Sequence, residues 1–257
     1  MEPAASVAVV LPAYNEAPNL ARTVTTAQAY LARTMDDYRI IVVNDGSADR
    51  TGAIADELAA ADPAHVVVVT HPVNRGYGAA VRSGIAEALR TDCPWIFLTD
   101  ADGQFDLTEI GMLLGVAREQ RVDLVTGWRT RRADPSIRRL NAYLWSGASR
   151  LLLGLPVHDV DCAFKLVHRR VLAAITLEGE AAVISPELLA KAAHAGFRIV
   201  EVPVSHFPRE AGEQSGANLQ VIVRSLVGLA RLRVRLARQM PVESPRQRRI
   251  ARHGSVD

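Results

Sequence analysis

Trp95-Ile96-Phe97-Leu98-Thr99-Asp100-Ala101-Asp102-Gly103-Gln104 runs from four apolar residues into two carboxylates set one residue apart. A short apolar run bounded by polar turn residues reads as a buried strand. Two carboxylates on the turn that leaves it can both reach one cation. Oxygen ligands suit Mg²⁺ or Mn²⁺, ions that also bind diphosphate oxygens. The same turn would serve equally as an Asp-rich cap for a helix starting near Leu107.

The flanking sequence repeats this strand-then-polar-loop pattern. Val7 to Leu11, Ile40 to Val43 and Val66 to Val69 are apolar runs. Helical spacing follows them: Leu20, Val24, Ala27 and Leu31 share one face, and Ile54 and Leu58 another. Pro18 suits the first helix turn. Helices are expected at Gly76 to Leu89 and Leu107 to Arg118, with a strand at Leu124-Val125. Beyond Gly127 the pattern predicts a helix near Leu140 to Leu153, a strand at Phe164 to Val167, a helix at Pro186 to Ala195 and a strand at Ile199 to Val204. Nearly continuous apolar strands separated by helices indicate an α/β fold with a mostly parallel central sheet flanked by helices.

Ligands of such sheets sit beyond the carboxyl ends of the strands. Tyr14-Asn15-Glu16, Asn44-Asp45-Gly46-Ser47 and Asp100-Ala101-Asp102 all fall there, so three polar loops face one rim. Asn44 to Ser47 reads both as a turn and helix cap, with Asp49 sharing that work, and as a nucleotide contact through Asp45. Asn74-Arg75-Gly76-Tyr77-Gly78-Ala79-Ala80-Val81 is a poor dinucleotide fingerprint. Val81 stands at the third glycine position, and the preceding strand is the third rather than the first. His158 and His206 have no partners at metal spacing and read as structural histidines.

A chain of 257 residues, 49% hydrophobic and 23% charged, is globular. Cys93 and Cys162 are its only cysteines, which fits a reducing cytoplasm, and the amino terminus lacks a secretory pattern. The net charge of +2 points to no nucleic-acid partner. The basic residues gather late, at Arg224, Arg231, Arg233, Arg235 and Arg238, then from Arg246 to Arg252. Leu219 to Leu236 holds four arginines, too many for a bilayer span. As an amphipathic helix its Val223, Leu226, Val227, Ala230 and Val234 face either a membrane interface or protein.

Pro12-Ala13-Tyr14-Asn15-Glu16, Val43-Asn44-Asp45-Gly46-Ser47-Ala48-Asp49-Arg50-Thr51, Asn74-Arg75-Gly76 and Asp100-Ala101-Asp102-Gly103-Gln104 resemble, in order, the motifs of family 2 glycosyltransferases. Asp161-Cys162-Ala163-Phe164-Lys165-Leu166 resembles a later motif of the dolichyl-phosphate mannose synthase and polyprenyl-phosphate glycosyltransferase branch. Glu201 to Val204, Arg209 to Gly212 and Ser215 extend the likeness, which covers residues 6 to 218. It implies a GT-A fold, a nucleoside-diphosphate sugar donor, a polyprenyl phosphate acceptor and an inverting reaction. It further implies that Pro12, Tyr14, Glu16, Asp45 and Asp100 bind the nucleotide-sugar, and that Asp100, Asp102 and Gln104 surround a Mg²⁺ or Mn²⁺ ion. Arg129, Arg138, Arg139, Lys165 and Ser215 would meet the acceptor phosphate, with Asp102, Arg129 and Arg209 at the chemistry. The family's usual Gly-x-Ser-Lys is replaced here by Gly212-Glu213-Gln214-Ser215-Gly216.

The expected organisation is a GT-A domain over 1–216, a basic amphipathic helix over 217–240 and a disordered tail over 241–257. The expected location is cytoplasmic, peripheral on the inner face of the membrane. A phosphate acceptor is already ionised at neutral pH and needs no strong base. A hydroxyl acceptor needs one, and the carboxylate near Pro186 is Glu187, which also suits a helix cap. Two other readings therefore stand beside the first: a glycosyltransferase acting on a soluble hydroxyl, and a non-catalytic sugar-nucleotide-binding module.

Overall fold

The computed structural model describes residues 6–130, 136–155, 157–209, 211 and 219–239. The first half alternates strand and helix: β1 (Ser6–Ala13), α1 (Ala17–Thr34), β2 (Asp37–Asn44), α2 (Thr51–Ala61), β3 (Val66–Thr70), α3 (Tyr77–Ala88) and β4 (Trp95–Leu98). A 3₁₀ turn at Leu107–Glu109 leads into α4 (Ile110–Glu119) and β5 (Leu124–Arg129). Then follow α5 (Ser136–Leu153), β6 (Lys165–His168), α6 (Arg169–Ala174), α7 (Ile184–His194), β7 (Ile199–Val204) and α8 (Leu219–Gln239).

The strands form one seven-stranded sheet in the order β3-β2-β1-β4-β6-β5-β7. All neighbours run parallel except β6, which is antiparallel to β4 and β5. The strand order changes direction between β1 and β4, so a crevice opens at their carboxyl ends. The antiparallel β6 has a positional consequence. Its first residue, Lys165, pairs with Leu98 and Thr126, so the segment before it arrives at that same rim. Hydrophobic pattern carries no strand direction, and neither this reversal nor the short helix α6 is legible in it.

Alternate strand residues feed two cores. Val7, Val9, Leu11, Ile40, Val42 and Phe97 face α1, α2 and α4. Ala8, Val10, Ile41, Val43, Ile96 and Leu98 face α3, α7 and α8. The stripe Leu20, Val24, Ala27 and Leu31 on α1 is fully buried, as its spacing predicts. The larger of these, Leu20, Val24 and Leu31, each stabilise by roughly 1.5–3 kcal/mol. Helix α3 lies especially close to the sheet because of Gly84. A Cβ there would stand 2.3 Å from Val10 Cγ1.

Helix α8 packs on the second core through Leu229, Leu232 and Leu236. Its apolar residues Val227 and Val234 face outward, 44% and 50% exposed. Among the described residues no helix is long and apolar enough to cross a membrane.

Candidate active site

The first two rim loops are built as one unit. Asn15, at φ 55°, donates its amide to Ser47 Oγ, and its Oδ1 accepts from Ala48 N at 2.9 Å. Glu16 N donates to Thr51 Oγ1 at 2.8 Å, and Ala17 N to Asp49 Oδ2 at 3.2 Å. Asp49 and Thr51 thus serve the start of α1 as well as their own turn. Tyr14, 42% exposed, stands at the lip of this unit, and Pro12 lines the cleft beneath.

Asp45 is buried and heavily engaged. Its Oδ1 takes Arg75 N at 2.9 Å and lies 2.6 Å from His71 Nδ1; its Oδ2 takes Gly76 N at 2.8 Å. Asp45 therefore ties the Asn74–Gly76 loop to the end of β2. Gly46 allows the approach. It sits at φ 65°, and a Cβ would stand 2.3 Å from the Val73 carbonyl carbon. Gly76, at φ 86°, then starts α3.

Tyr77, the first residue of α3, brings its hydroxyl to Asp100. The residue as a whole is 36% exposed, but the hydroxyl is desolvated, and with Asp100 beside it the phenol is held well above its ordinary pKa. Asp100 itself is pushed up to about 7, by burial first and by the Asp102 charge second; Tyr77 and Arg129 pull the other way. Burial raises Asp102 as well, against the Gln104 amide and Arg209, with Glu16 adding to the rise. Two carboxylates crowded in a dry place favour any cation that can join them.

A cation of the protein approaches from one side. Arg209 donates through Nη2 to both Glu16 oxygens at 2.7 and 2.8 Å, and its Nη1 lies 3.7 Å from Asp102 Oδ2. Its Nε holds Ala211 O at 2.8 Å, and Asn19 Nδ2 links Glu16 to the same carbonyl. The segment after β7 is thereby fastened over the acidic pair. Gln104 adds a strut: its Nε2 donates to Phe207 O at 2.9 Å while Phe207 N returns a bond to Gln104 O. The strut uses Gln104 Nε2, so the metal contact expected of Gln104 would fall to its Oε1.

Arg129, at the end of β5, stands on the other side. Its Nε and Nη2 grip Asp159 at 2.7 and 2.9 Å, and both side chains are nearly buried. Burial works against the charge, but the Asp159 carboxylate outweighs it and holds Arg129 above its usual pKa. Asp159 N and His158 N donate to Glu201 on β7, so Glu201 fixes the loop that fixes the arginine. Asp161, raised mainly by burial, lies within the field of Arg129 and Lys165.

Lys165 was expected at the acceptor phosphate. It is only 1% exposed, and Nζ donates to the Cys162 carbonyl, with Ser185 Oγ at 3.4 Å and Val160 O at 3.5 Å. Its place in the central sheet points the ammonium beneath the Val160–Cys162 turn, and burial lowers its pKa. It also lines an open cleft with Pro12, Tyr77, Leu98, Thr99 and Ser185. Arg138 and Arg139 belong to α5, but their side chains, like Ser215 and the 241–257 tail, lie outside the described residues. Glu187 is buried and committed: Oε2 accepts from Glu178 N at 2.9 Å and from Gly179 N, and Oε1 pairs with Lys191 at 2.7 Å.

Among the described residues no group of three or more His, Cys, Asp and Glu side chains is placed to hold a metal. The donor chemistry nonetheless fits a hard divalent ion. Asp100 and Asp102 supply two oxygens from one turn, their crowding disfavours both being charged without a cation, and such ions readily leave positions to phosphate oxygens.

This sheet order, with an acidic pair at the exit of β4 on the crevice, is the GT-A architecture of nucleotide-sugar transferases. The chain belongs to glycosyl transferase family 2, whose model matches residues 8–176. It is 34% identical to polyprenol monophosphomannose synthase of Mycolicibacterium smegmatis over 86% of this chain and 85% of that one. It is 29% identical to an undecaprenyl-phosphate 4-deoxy-4-formamido-L-arabinose transferase of Pseudomonas fluorescens, over 84% of this chain and 62% of the relative. Among solved structures it resembles glucosyl-3-phosphoglycerate synthase of Mycobacterium tuberculosis in complex with Mn²⁺, UDP-glucose and phosphoglyceric acid. The TM-score is 0.63 at 20% identity, covering 89% of this chain and 80% of that one; at this identity the likeness is one of fold. The chain is thus a glycosyltransferase, and the non-catalytic reading is set aside.

Proposed function

We propose that the enzyme transfers a sugar, with inversion, from a nucleoside-diphosphate sugar to a polyprenyl phosphate. The observation that carries this reading is the acidic pair at the crevice with a fixed arginine on each side, Arg209 toward Asp102 and Arg129 toward Asp100. Asp100 and Asp102 would hold a Mg²⁺ or Mn²⁺ ion, which when bound supplies positive charge to the departing diphosphate. Pro12, Tyr14, Glu16 and Asp45 border the nucleotide. A phosphate oxygen of the acceptor forms the new bond to the anomeric carbon. The bond to the donor diphosphate breaks on the opposite face, which inverts the centre. Arg129 orients the acceptor phosphate, with Arg138, Arg139 and Ser215 proposed as further contacts.

Glu187 favours the phosphate acceptor over a hydroxyl. The carboxylate on α7 is spent on two backbone amides and Lys191, so it is not poised to take a proton. A phosphate monoester, with a second pKa of about 6, is already nucleophilic. The names of two relatives, on polyprenol and undecaprenyl phosphate, support the same acceptor class. The test is a panel of radiolabelled nucleotide-sugars with Mg²⁺ or Mn²⁺ and a short polyprenyl phosphate. Label should enter the organic phase. Label passing only to water-soluble acceptors would overturn the acceptor assignment.

A polyprenyl substrate brings the enzyme to the cytoplasmic membrane surface. The outer face of α8 suits that place, since the helix carries five arginines and no acidic residue, with Val227 and Val234 exposed. Binding to vesicles containing phosphatidylglycerol should fall several-fold in Arg231→Ala/Val234→Ser and weaken with salt. Salt-independent binding, or none, would remove the membrane role of this helix.

A further inference from the structure

Asp45 is proposed above to border the nucleotide, yet its geometry is set by a residue outside the recognised motifs. We infer that His71 is a positioning residue for the nucleotide site, acting through Asp45 on the loop that carries Tyr77 to Asp100. The inference rests on the glycosyltransferase reading of the rim. His71 follows β3 directly and is 5% exposed. Its backbone N–H donates to Asn44 O at 2.9 Å, Nδ1 lies 2.6 Å from Asp45 Oδ1, and Nε2 lies 2.9 Å from Ser83 Oγ on α3. A carboxylate oxygen accepts, so His71 Nδ1 donates to Asp45 Oδ1, while Nε2 and the Ser83 hydroxyl share the second bond.

One imidazole therefore joins the ends of β2 and β3 to the middle of α3. Without it, Asp45 keeps the Arg75 and Gly76 amides but loses its lateral support and can turn about its side-chain bonds. That freedom passes to Gly76, pliable because it lacks a Cβ, and so to Tyr77 and its hydrogen bond to Asp100. A chain of direct contacts thus runs from His71 through Asp45 and Gly76 to the acidic pair. Buried imidazoles that orient a working carboxylate act in the same way as the outer partners of metal ligands.

His71→Asn and His71→Gln separate positioning from packing. Both remove the ring. The Asn amide falls near Nδ1 and can still donate to Asp45; the longer Gln amide falls near Nε2 and reaches Ser83. Binding of UDP and GDP with Mg²⁺ is measured by calorimetry on the full chain. Exchange of the Arg75 and Gly76 amides is followed by NMR without nucleotide. His71→Ala and His71→Gln should lose at least about tenfold in affinity for whichever nucleotide binds, and should exchange those two amides faster. His71→Asn should stay within about threefold of the parent on both measures. Equal loss in the Asn and Gln variants would reduce His71 to packing and overturn the inference, as would unchanged exchange in all three. If the parent binds neither nucleotide, the nucleotide reading fails, while the exchange data still decide whether His71 orders the loop.

Discussion

Asp102→Asn should lower sugar transfer by at least about 10²–10³-fold and leave the fold intact or slightly more stable when no metal is added. The two halves have one cause. Asp102 contributes one of two carboxylates at the exit of β4, and stabilising charge on a leaving group is among the largest single effects in catalysis. Asparagine keeps the oxygen that accepts from Gln104 N at 3.1 Å, so the turn survives. It removes the charge that helps raise Asp100, and with it a like-charge repulsion in a desolvated site. Arg209 remains anchored by Glu16. Thermal midpoints, read with and without Mn²⁺, should show a metal-dependent rise in the parent that is lost in the variant. Parental transfer rates in Asp102→Asn, or a fold that collapses without metal, would defeat the assignment.

The parts legible in advance are those that depend on local pattern. β1, β2 and β4 are apolar runs because strands buried on both faces must be, β3 is apolar though half-buried at the sheet edge, and the α1 stripe follows from helical periodicity. The loops at their carboxyl ends share one rim, as the strand-then-polar-loop pattern implies. Partnership across the chain was not legible. Nothing in the run Val157 to Val160 announces that Asp159 pairs with Arg129, 30 residues earlier, or that Glu201 holds that loop from β7. Tyr77 stood in a glycine-rich stretch whose obvious reading is close packing, and its contact with Asp100 depends on where α3 begins. Gln104 and Lys165 are similar cases: their residue types suit a metal and a phosphate, but nothing in the sequence announces the Gln104 Nε2 bond to Phe207 O or the burial of the Lys165 ammonium against the Cys162 carbonyl. Outward-facing Val227 and Val234 likewise invite the reading of a membrane face, while Leu229, Leu232 and Leu236 pack on the protein. Amphipathic spacing marks two faces without saying what meets either one.

Arg129→Met should cost about 3–5 kcal/mol of stability and nearly all transfer, whereas Arg129→Met/Asp159→Leu should recover most of the stability and none of the transfer. The argument begins with burial. Both side chains of the pair are about nine-tenths hidden, so removing the guanidinium strands a carboxylate in a dry place. Replacing both partners with apolar groups removes that penalty, since buried ion pairs seldom outperform hydrocarbon of similar volume. If Arg129 served only to hold the His158–Asp159 loop, the double variant would regain activity along with stability. If it also presents its charge to the acceptor phosphate, stability returns alone. Denaturant midpoints and transfer rates on the same preparations separate these outcomes, and Arg129→Lys refines them. Lysine keeps the charge but cannot make the two parallel bonds to Asp159, so it should retain partial acceptor use with a raised acceptor KM and little change in the donor KM. Recovery of transfer in the double variant would leave Arg129 a structural residue and move acceptor recognition elsewhere on the rim.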